Sequence, residues 1–247
     1  MSGVEVRFLG TGDAFGSGGR LHTCTLIRAG GGNALVDCGP STLAALRRDG
    51  LDPNTVDAVV LTHLHGDHFG GVPFLLMDAH YAAGRTRPLV VAGPAGVAAA
   101  VARALEVLFP GSGALAPRFP VTYLEWRDAQ AITAAPVRVT PFLVRHSTNT
   151  PCYGLRVEVG GRVLAFSGDT EWTDALVELS AGSDLFVCEC SGYASAPPQH
   201  LDYLTLQQHR PALTCRRLLL THMGEEMLAR VPALAIDTAH DGLVVNA

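Results

Sequence analysis

The sequence predicts an α/β protein built in layers. Three observations carry this expectation. Short apolar strand patterns alternate with helical patterns along the chain, and Gly, Pro, Asn and Asp turn signals separate them. Polar residues recur where buried strands run out, as in Thr62-His63, Ser167-Gly168-Asp169 and Thr221-His222. In layered α/β architectures that end of a sheet is where sites form. The composition is 48% hydrophobic and 17% charged over 247 residues, enough to fill a core without disulfide staples.

Taken in order, residues 4–9, 23–29 and 33–37 read as strands, and the glycines at 30–32 turn the second into the third. Ser41 is placed to cap a helix through Arg48, which Gly50 ends. Residues 57–61 form a buried strand, 69–83 a helix and 89–92 a strand. Pro94 opens an Ala-rich helix to about residue 108. Residues 110–120 are a Gly/Pro-rich loop, the best candidate for a boundary or a mobile lid. Strands follow at 121–126, 136–145, 152–159 and 161–167, then a helix at 172–180 and a strand at 184–190. A loop at 192–200 precedes a helix at 204–213 and a strand at 217–221. A short helix and a last strand at 242–245 close the chain. There is no short-period repeat, and residues 1–247 read as one domain.

The chemistry concentrates in His63-Leu64-His65-Gly66-Asp67-His68, directly after a buried strand. Four potential metal donors fall within six residues. His63 and His65 point the same way in an extended turn, and the adjacent Asp67 and His68 can turn towards a second position. Gly66, Gly70 and Gly71 permit the sharp backbone path. Imidazole with carboxylate suits Zn²⁺, with Mn²⁺ and Fe²⁺ as competitors. Further candidates stand at strand ends: His146 after Leu143-Val144-Arg145, Asp169 after Ser167-Gly168, and His222 after Leu220-Thr221. A lone strand-end His or Asp is usually a turn residue; in this order behind the first cluster the three gain weight.

These residues resemble the five-motif signature of the metallo-β-lactamase superfamily. Phe8-Leu9-Gly10-Thr11-Gly12 and Leu35-Val36-Asp37-Cys38-Gly39 also look like it, and like its ribonuclease Z-like and small phosphodiesterase branch in particular. The resemblance spans roughly residues 4–245. It implies a four-layer αβ/βα sandwich, two packed mixed sheets flanked by helices, with a site for two divalent metal ions at one edge. Carried over residue by residue, one ion takes His63, His65 and His146, the other takes Asp67, His68 and His222, and Asp169 bridges them. Asp37 matches a supporting aspartate. Asp rather than Cys at position 169 departs from true class B β-lactamases.

The implied chemistry is hydrolysis by a metal-bridging hydroxide, because two nearby cations lower the pKa of water between them and neutralise charge developing on the substrate. His200, in Pro198-Gln199-His200-Leu201, resembles the histidine that assists phosphodiester cleavage in this branch and is the candidate proton donor. Asp67 is a further catalytic candidate as proton acceptor. His22, His80, His209 and His240 read as structural, with His209 facing solvent.

A small phosphodiester, a cyclic nucleotide or cyclic phosphate, leads as substrate. A lactone, thioester, sulfate or β-lactam-like substrate is the runner-up. Transfer RNA ranks lower. The interval from His146 to Asp169 already holds two strands and leaves no space for an RNA-gripping arm, the 110–120 loop has one basic residue, and the net charge is −5. A metal-binding module without turnover would leave gaps among the donors, and an oxygen-reducing di-iron protein would need an acidic residue in place of His65.

All 18 basic residues are Arg, which excludes Schiff-base, pyridoxal-phosphate and P-loop lysine chemistry. The N-terminal stretch has no basic and apolar signal pattern, no apolar run is long enough to span a bilayer, and the six Cys show no zinc-ribbon spacing. The reading is a cytoplasmic protein with reduced, buried Cys, a small-molecule substrate, no membrane partner and, by resemblance to the branch, a homodimer.

Overall fold

The computed structural model describes residues 3–147 and 149–247. Two mixed sheets of seven strands face each other. The first contains β1 (Glu5–Gly10), β2 (Cys24–Ala29), β3 (Gly32–Val36), β4 (Val56–Val60), β5 (Leu89–Gly93), β6 (Val121–Glu125) and the C-terminal β14 (Val244–Asn246). Their order is β14-β1-β2-β3-β4-β5-β6. The second contains β7 (Ile132–Ala134), β8 (Val137–Val144), β9 (Cys152–Val159), β10 (Arg162–Phe166), β11 (Leu185–Glu189), β12 (Leu218–Thr221) and β13 (Asp237–Thr238), in the order β13-β12-β11-β10-β9-β8-β7.

Strand alternation decides the layers. Val6, Phe8, Val36 and Val60 of the first sheet meet Leu155, Val157, Leu164 and Phe166 of the second in the central core. The opposite face of the first sheet, with Leu35, Val59 and Val91, is covered by α1 (Thr42–Arg48), α3 (Val72–Met77) and α4 (Val97–Leu108). The outer face of the second sheet, with Phe186, Cys188 and Leu220, is covered by α5 (Ala175–Ser180), α6 (Tyr203–His209) and α7 (Glu225–Arg230). This is the expected four-layer αβ/βα sandwich. All six Cys are buried free thiols. No helix among the described residues is long and apolar enough to cross a membrane.

Several elements differ from the sequence expectation, each for a local reason. The helix expected over 69–83 is three pieces: a single turn α2 (Gly66–Phe69), α3, and a π-helical turn (Asp78–Ala82). Gly70 and Gly71 separate the first two, and Pro73 sits in the first turn of α3, where its missing N–H costs nothing. The Ala-rich helix starts at Val97 rather than Pro94, because Gly96 takes a left-handed φ of 84° ahead of it. The expected strand 136–145 is present as β8, and a short strand that was not expected, β7, pairs antiparallel with it across Pro136. Ser41 precedes α1 without a side-chain cap bond; its Oγ accepts the His22 N–H instead, at 3.0 Å.

The 110–120 loop joins α4 to β6 within one sheet. Its Phe119 is buried in the same core as α4, its Gly111 and Gly113 N–H groups donate to Glu106, and its Arg118 N–H donates to His80 Nδ1 at 3.2 Å. His209 does not simply face solvent; its ring stacks on Trp172 with centroids 4.0 Å apart.

Parallel pairing sets the position of the site. β3 pairs parallel with β4, and β10, β11 and β12 run parallel to one another. Their carboxyl ends therefore lie along one edge of the sandwich. Two backbone hydrogen bonds join the sheets there, from Tyr153 N–H to Thr62 O (3.0 Å) and from His222 N–H to Thr11 O (3.1 Å).

Candidate metal centre

Five strand ends and one helical turn deliver the side chains. β4 runs out into His63 and His65, and α2 carries Asp67 and His68. β8 ends before His146, β10 before Asp169, β12 before His222, and β3 before Asp37. Asp37 and His222 hold positive φ values of 58° and 57°, which an L side chain adopts only when its surroundings enforce it. Gly168 precedes Asp169 with φ 59°, and a Cβ there would lie 2.8 Å from Tyr153 O and 3.0 Å from Thr62 Cβ. Only glycine lets β10 approach β4 this closely.

The donors gather in two groups, each with its donor atoms within 4.8 Å of one another. One is His63, His65 and His146; the other is Asp67, His68, Asp169 and His222. His65 Nδ1 and His146 Nε2 are 2.9 Å apart. Asp169 lies between the groups. Its Oδ2 is 3.8 Å from His63 Nε2, 3.7 Å from His146 Nε2 and 3.3 Å from His222 Nε2, and its Oδ1 is 3.2 Å from His68 Nε2. Asp67 Oδ2 is 3.3 Å from His68 Nε2 and 3.4 Å from His222 Nε2. All seven predicted donor residues meet here. All but His65 are buried.

A metal fits this donor set. His63 Nε2 and His68 Nε2 are buried and make no hydrogen bond, although both face the carboxylates. Nitrogens left unsatisfied in a buried polar cluster mark a missing partner, and a divalent cation supplies it. The opposite ring atoms are already committed. His68 Nδ1 is 2.8 Å from Asp37 Oδ2, and His63 Nδ1 is 3.0 Å from Thr62 Oγ1. Asp37 also accepts the Thr62 N–H at 2.8 Å. It is thus the supporting carboxylate that the sequence suggested, fixing ring orientation from outside.

The titration behaviour shows the same need for positive charge. Burial opposes a charged His68, but Asp169 and Asp37 overcome it and hold its pKa well above the ordinary value. Burial likewise opposes a charged His222, and Asp169 and Asp67 push it up to about 9. For Asp169, burial works against the carboxylate, but His222, His68 and His63 keep it well below the usual range. Burial and the neighbouring His68 drive His63 the other way, towards the neutral form that binds metal.

His200 stands beside this cluster, its ring 4.7 Å from that of His146 and 5.5 Å from that of His222. Its Nδ1 lies 2.9 Å from Oε1 of Glu189 at the end of β11. Glu189 is only 1% exposed and also accepts from Thr170 N–H (2.6 Å), Ser191 Oγ–H (2.8 Å) and Leu201 N–H (3.3 Å). Burial lowers the His200 pKa, but the hydrogen bond and charge of Glu189 more than offset this and raise it. The sequence reading missed Glu189. Its signal was present: Cys188 and Cys190 share the outer face of β11, so the residue between them turns a carboxylate into the sandwich.

A cleft of about 220 Å³ opens onto the centre, walled by Phe15, Asp67, His146, Pro197, His200 and His222 among others. A second cleft of about 570 Å³ shares Ala14 and Asp67 and is lined by His22, Phe74 and Leu108. No arginine lines either cleft among the described residues.

Comparison with known proteins shows the family and the fold. The family described as "Anti-Pycsar protein Apyc1" matches residues 4–241. A ribonuclease Z from Mycobacterium bovis (strain BCG / Pasteur 1173P2) is 32% identical over 195 residues, covering 74% of this chain and 69% of the relative. The metallo-beta-lactamase fold protein YhfI from Bacillus subtilis superimposes with a TM-score of 0.78 at 22% identity, over 99% of this chain and 100% of that one. The short form of human tRNase Z superimposes with a TM-score of 0.74 at 23% identity, over 98% of each chain. The chain belongs to the Apyc1 family, in the ribonuclease Z-like and phosphodiesterase branch of the metallo-β-lactamase superfamily.

Proposed function

We propose that residues 1–247 form one metal-dependent hydrolase domain that cleaves a small phosphodiester of the cyclic nucleotide or cyclic phosphate type. The observation that carries this reading is the convergence of two donor groups on Asp169 with a glutamate-held histidine beside them. His63, His65 and His146 would hold one divalent ion and Asp67, His68 and His222 the other, with Asp169 shared. The mixed nitrogen and oxygen donors suit Zn²⁺, with Mn²⁺ and Fe²⁺ as competitors. Such ions supply Lewis-acid charge and a more acidic water.

The protein's own groups do the rest. Asp37 and Thr62 fix the rings of His68 and His63 from behind. Asp67 lines the cleft as a donor and is a proton acceptor for the attacking water. A bond forms from water oxygen to phosphorus and the ester P–O bond breaks. The departing oxygen takes its proton from the far nitrogen of His200. Glu189 favours the protonated ring that this requires.

The lining favours a singly charged substrate. A phosphomonoester or diphosphate brings additional negative charge, and among the described residues neither cleft offers an arginine to meet it. A second reading, cleavage of RNA, is favoured by the 32% identity to a protein named ribonuclease Z. A panel of chromogenic phosphodiester, phosphomonoester, lactone, sulfate and β-lactam substrates, with a cyclic nucleotide and a transfer RNA precursor, tests the proposal in Zn²⁺ and in Mn²⁺. Turnover of the small diesters above all others is expected; preference for the RNA or for a carbon ester overturns it.

A further inference from the structure

We propose that Phe15 is an aromatic platform on which a planar ring of the substrate stacks, making this enzyme selective for diesters that carry a nucleobase or comparable aromatic group. The inference rests on the phosphodiesterase reading above and adds a specificity determinant to it.

Phe15 is 93% exposed, the highest value among the exposed large hydrophobic residues. An isolated apolar side chain on a surface needs no explanation, but this one has two unusual features. It walls the same cleft as His146, His200 and His222. Its backbone is also held in place. Asp13 Oδ1 accepts the N–H groups of Phe15 (3.1 Å) and Ser17 (2.9 Å), and Oδ2 accepts the Ser17 hydroxyl (2.6 Å). One turn later the Gly18 N–H donates to Glu225 Oε1 at 2.7 Å, joining the loop to α7. The chain thus orders the backbone under a ring that packs against almost nothing.

Fixing that backbone in advance lowers the ordering cost of binding. A phenyl ring with its surface open to the cleft offers area for stacking and excludes hydrogen-bond readout of a particular base. The position also fits the chemistry. The cleft contains His200, the proton donor to the departing oxygen, so Phe15 borders the region through which a substrate's organic part enters and leaves. Among the described residues no arginine lines the cleft, and Phe15 is its one aromatic carbocycle available for stacking.

The test compares two substrates on metal-loaded protein: a 3′,5′-cyclic nucleotide and glycerol 1,2-cyclic phosphate, which has no ring. Phe15→Ala should lower the ratio of their kcat/KM values about tenfold, mostly through KM for the nucleotide, and Phe15→Trp should restore the ratio. An unchanged ratio overturns the proposal, as does a change of native mass in Phe15→Ala, which would make the ring a contact between copies. A binding measurement separates this proposal from the phosphodiesterase reading. In Phe15→Trp, a nucleoside monophosphate should quench fluorescence beyond its effect on the parent protein, whereas ribose 5-phosphate should not. If neither diester is hydrolysed but the quench is present, the reaction assignment fails and the platform stands. Equal quenching by both phosphates removes the platform.

Discussion

Oε1 of Glu189 lies 2.9 Å from Nδ1 of His200, and the same carboxylate is fixed by three further donors, Thr170 in the loop after β10 and Ser191 and Leu201 beyond the end of β11. A buried carboxylate with four partners holds the imidazole in one orientation and favours its protonated form.

This pairing predicts a dependence on the leaving group. His200→Ala should reduce turnover of a diester with a poor leaving group by about 10²–10⁴-fold, and that of an activated aryl diester much less. Glu189→Gln should give the same pattern at smaller magnitude. Steady-state rates across a series of leaving-group pKa values check both. Equal losses across the series would exclude proton donation by His200.

Asp37 lines neither of the two clefts that open onto the site, yet its removal should be felt at the candidate metal centre. Asp37→Asn keeps the shape but weakens the hold on His68 Nδ1, and metal affinity should fall about 10–100-fold. Competition with a chelator of known affinity measures this. Asp37→Ala should also destabilise the fold by about 1–3 kcal/mol, because the buried Thr62 N–H loses its acceptor.

Metal removal should cost stability as well as activity. His63 Nε2 and His68 Nε2 have no other hydrogen-bond partner, and binding to the native state alone shifts the folding equilibrium. We expect two metal equivalents per chain by elemental mass spectrometry. The melting temperature should fall after chelation and recover on adding Zn²⁺. A ratio near one would refute a two-ion centre.

Away from the site, Asp184 gives a pH prediction. The Val163 N–H bonds its carboxylate at 2.9 Å and, despite partial burial, Arg162 and Arg216 add to this, so its pKa lies below the ordinary value. The folded state therefore holds the charged form more tightly than the unfolded state does. Its contribution is complete above the ordinary carboxylate value of about 3.9 and is lost as the pH falls through the lower folded value. Asp184→Asn should be less stable than the parent by about 1 kcal/mol at neutral pH, with the gap closing in acid. Denaturant midpoints at several pH values check the trend.

Much of this was legible in the one-dimensional sequence because the signals are local. The apolar runs of β3, β4, β10, β11 and β12 mark strands buried on both faces. The short spacing from His63 to His68 and the polar residues at strand ends report metal chemistry before any coordinates are known. The breaks at Gly70-Gly71 and Gly96 were harder to read, since an isolated apolar period does not say where backbone curvature must interrupt a helix.

The sequence by itself determined the class of fold, seven candidate donor residues and the absence of lysine. The resemblance also implied how those candidates divide into two groups; only the tertiary structure decided that each group comes within 4.8 Å, because the parallel register brings the ends of β4, β10 and β12 to one edge. It also decided that Glu189 belongs to His200. The two are joined across a loop by a hydrogen bond, and no sequence period encodes the distance between them.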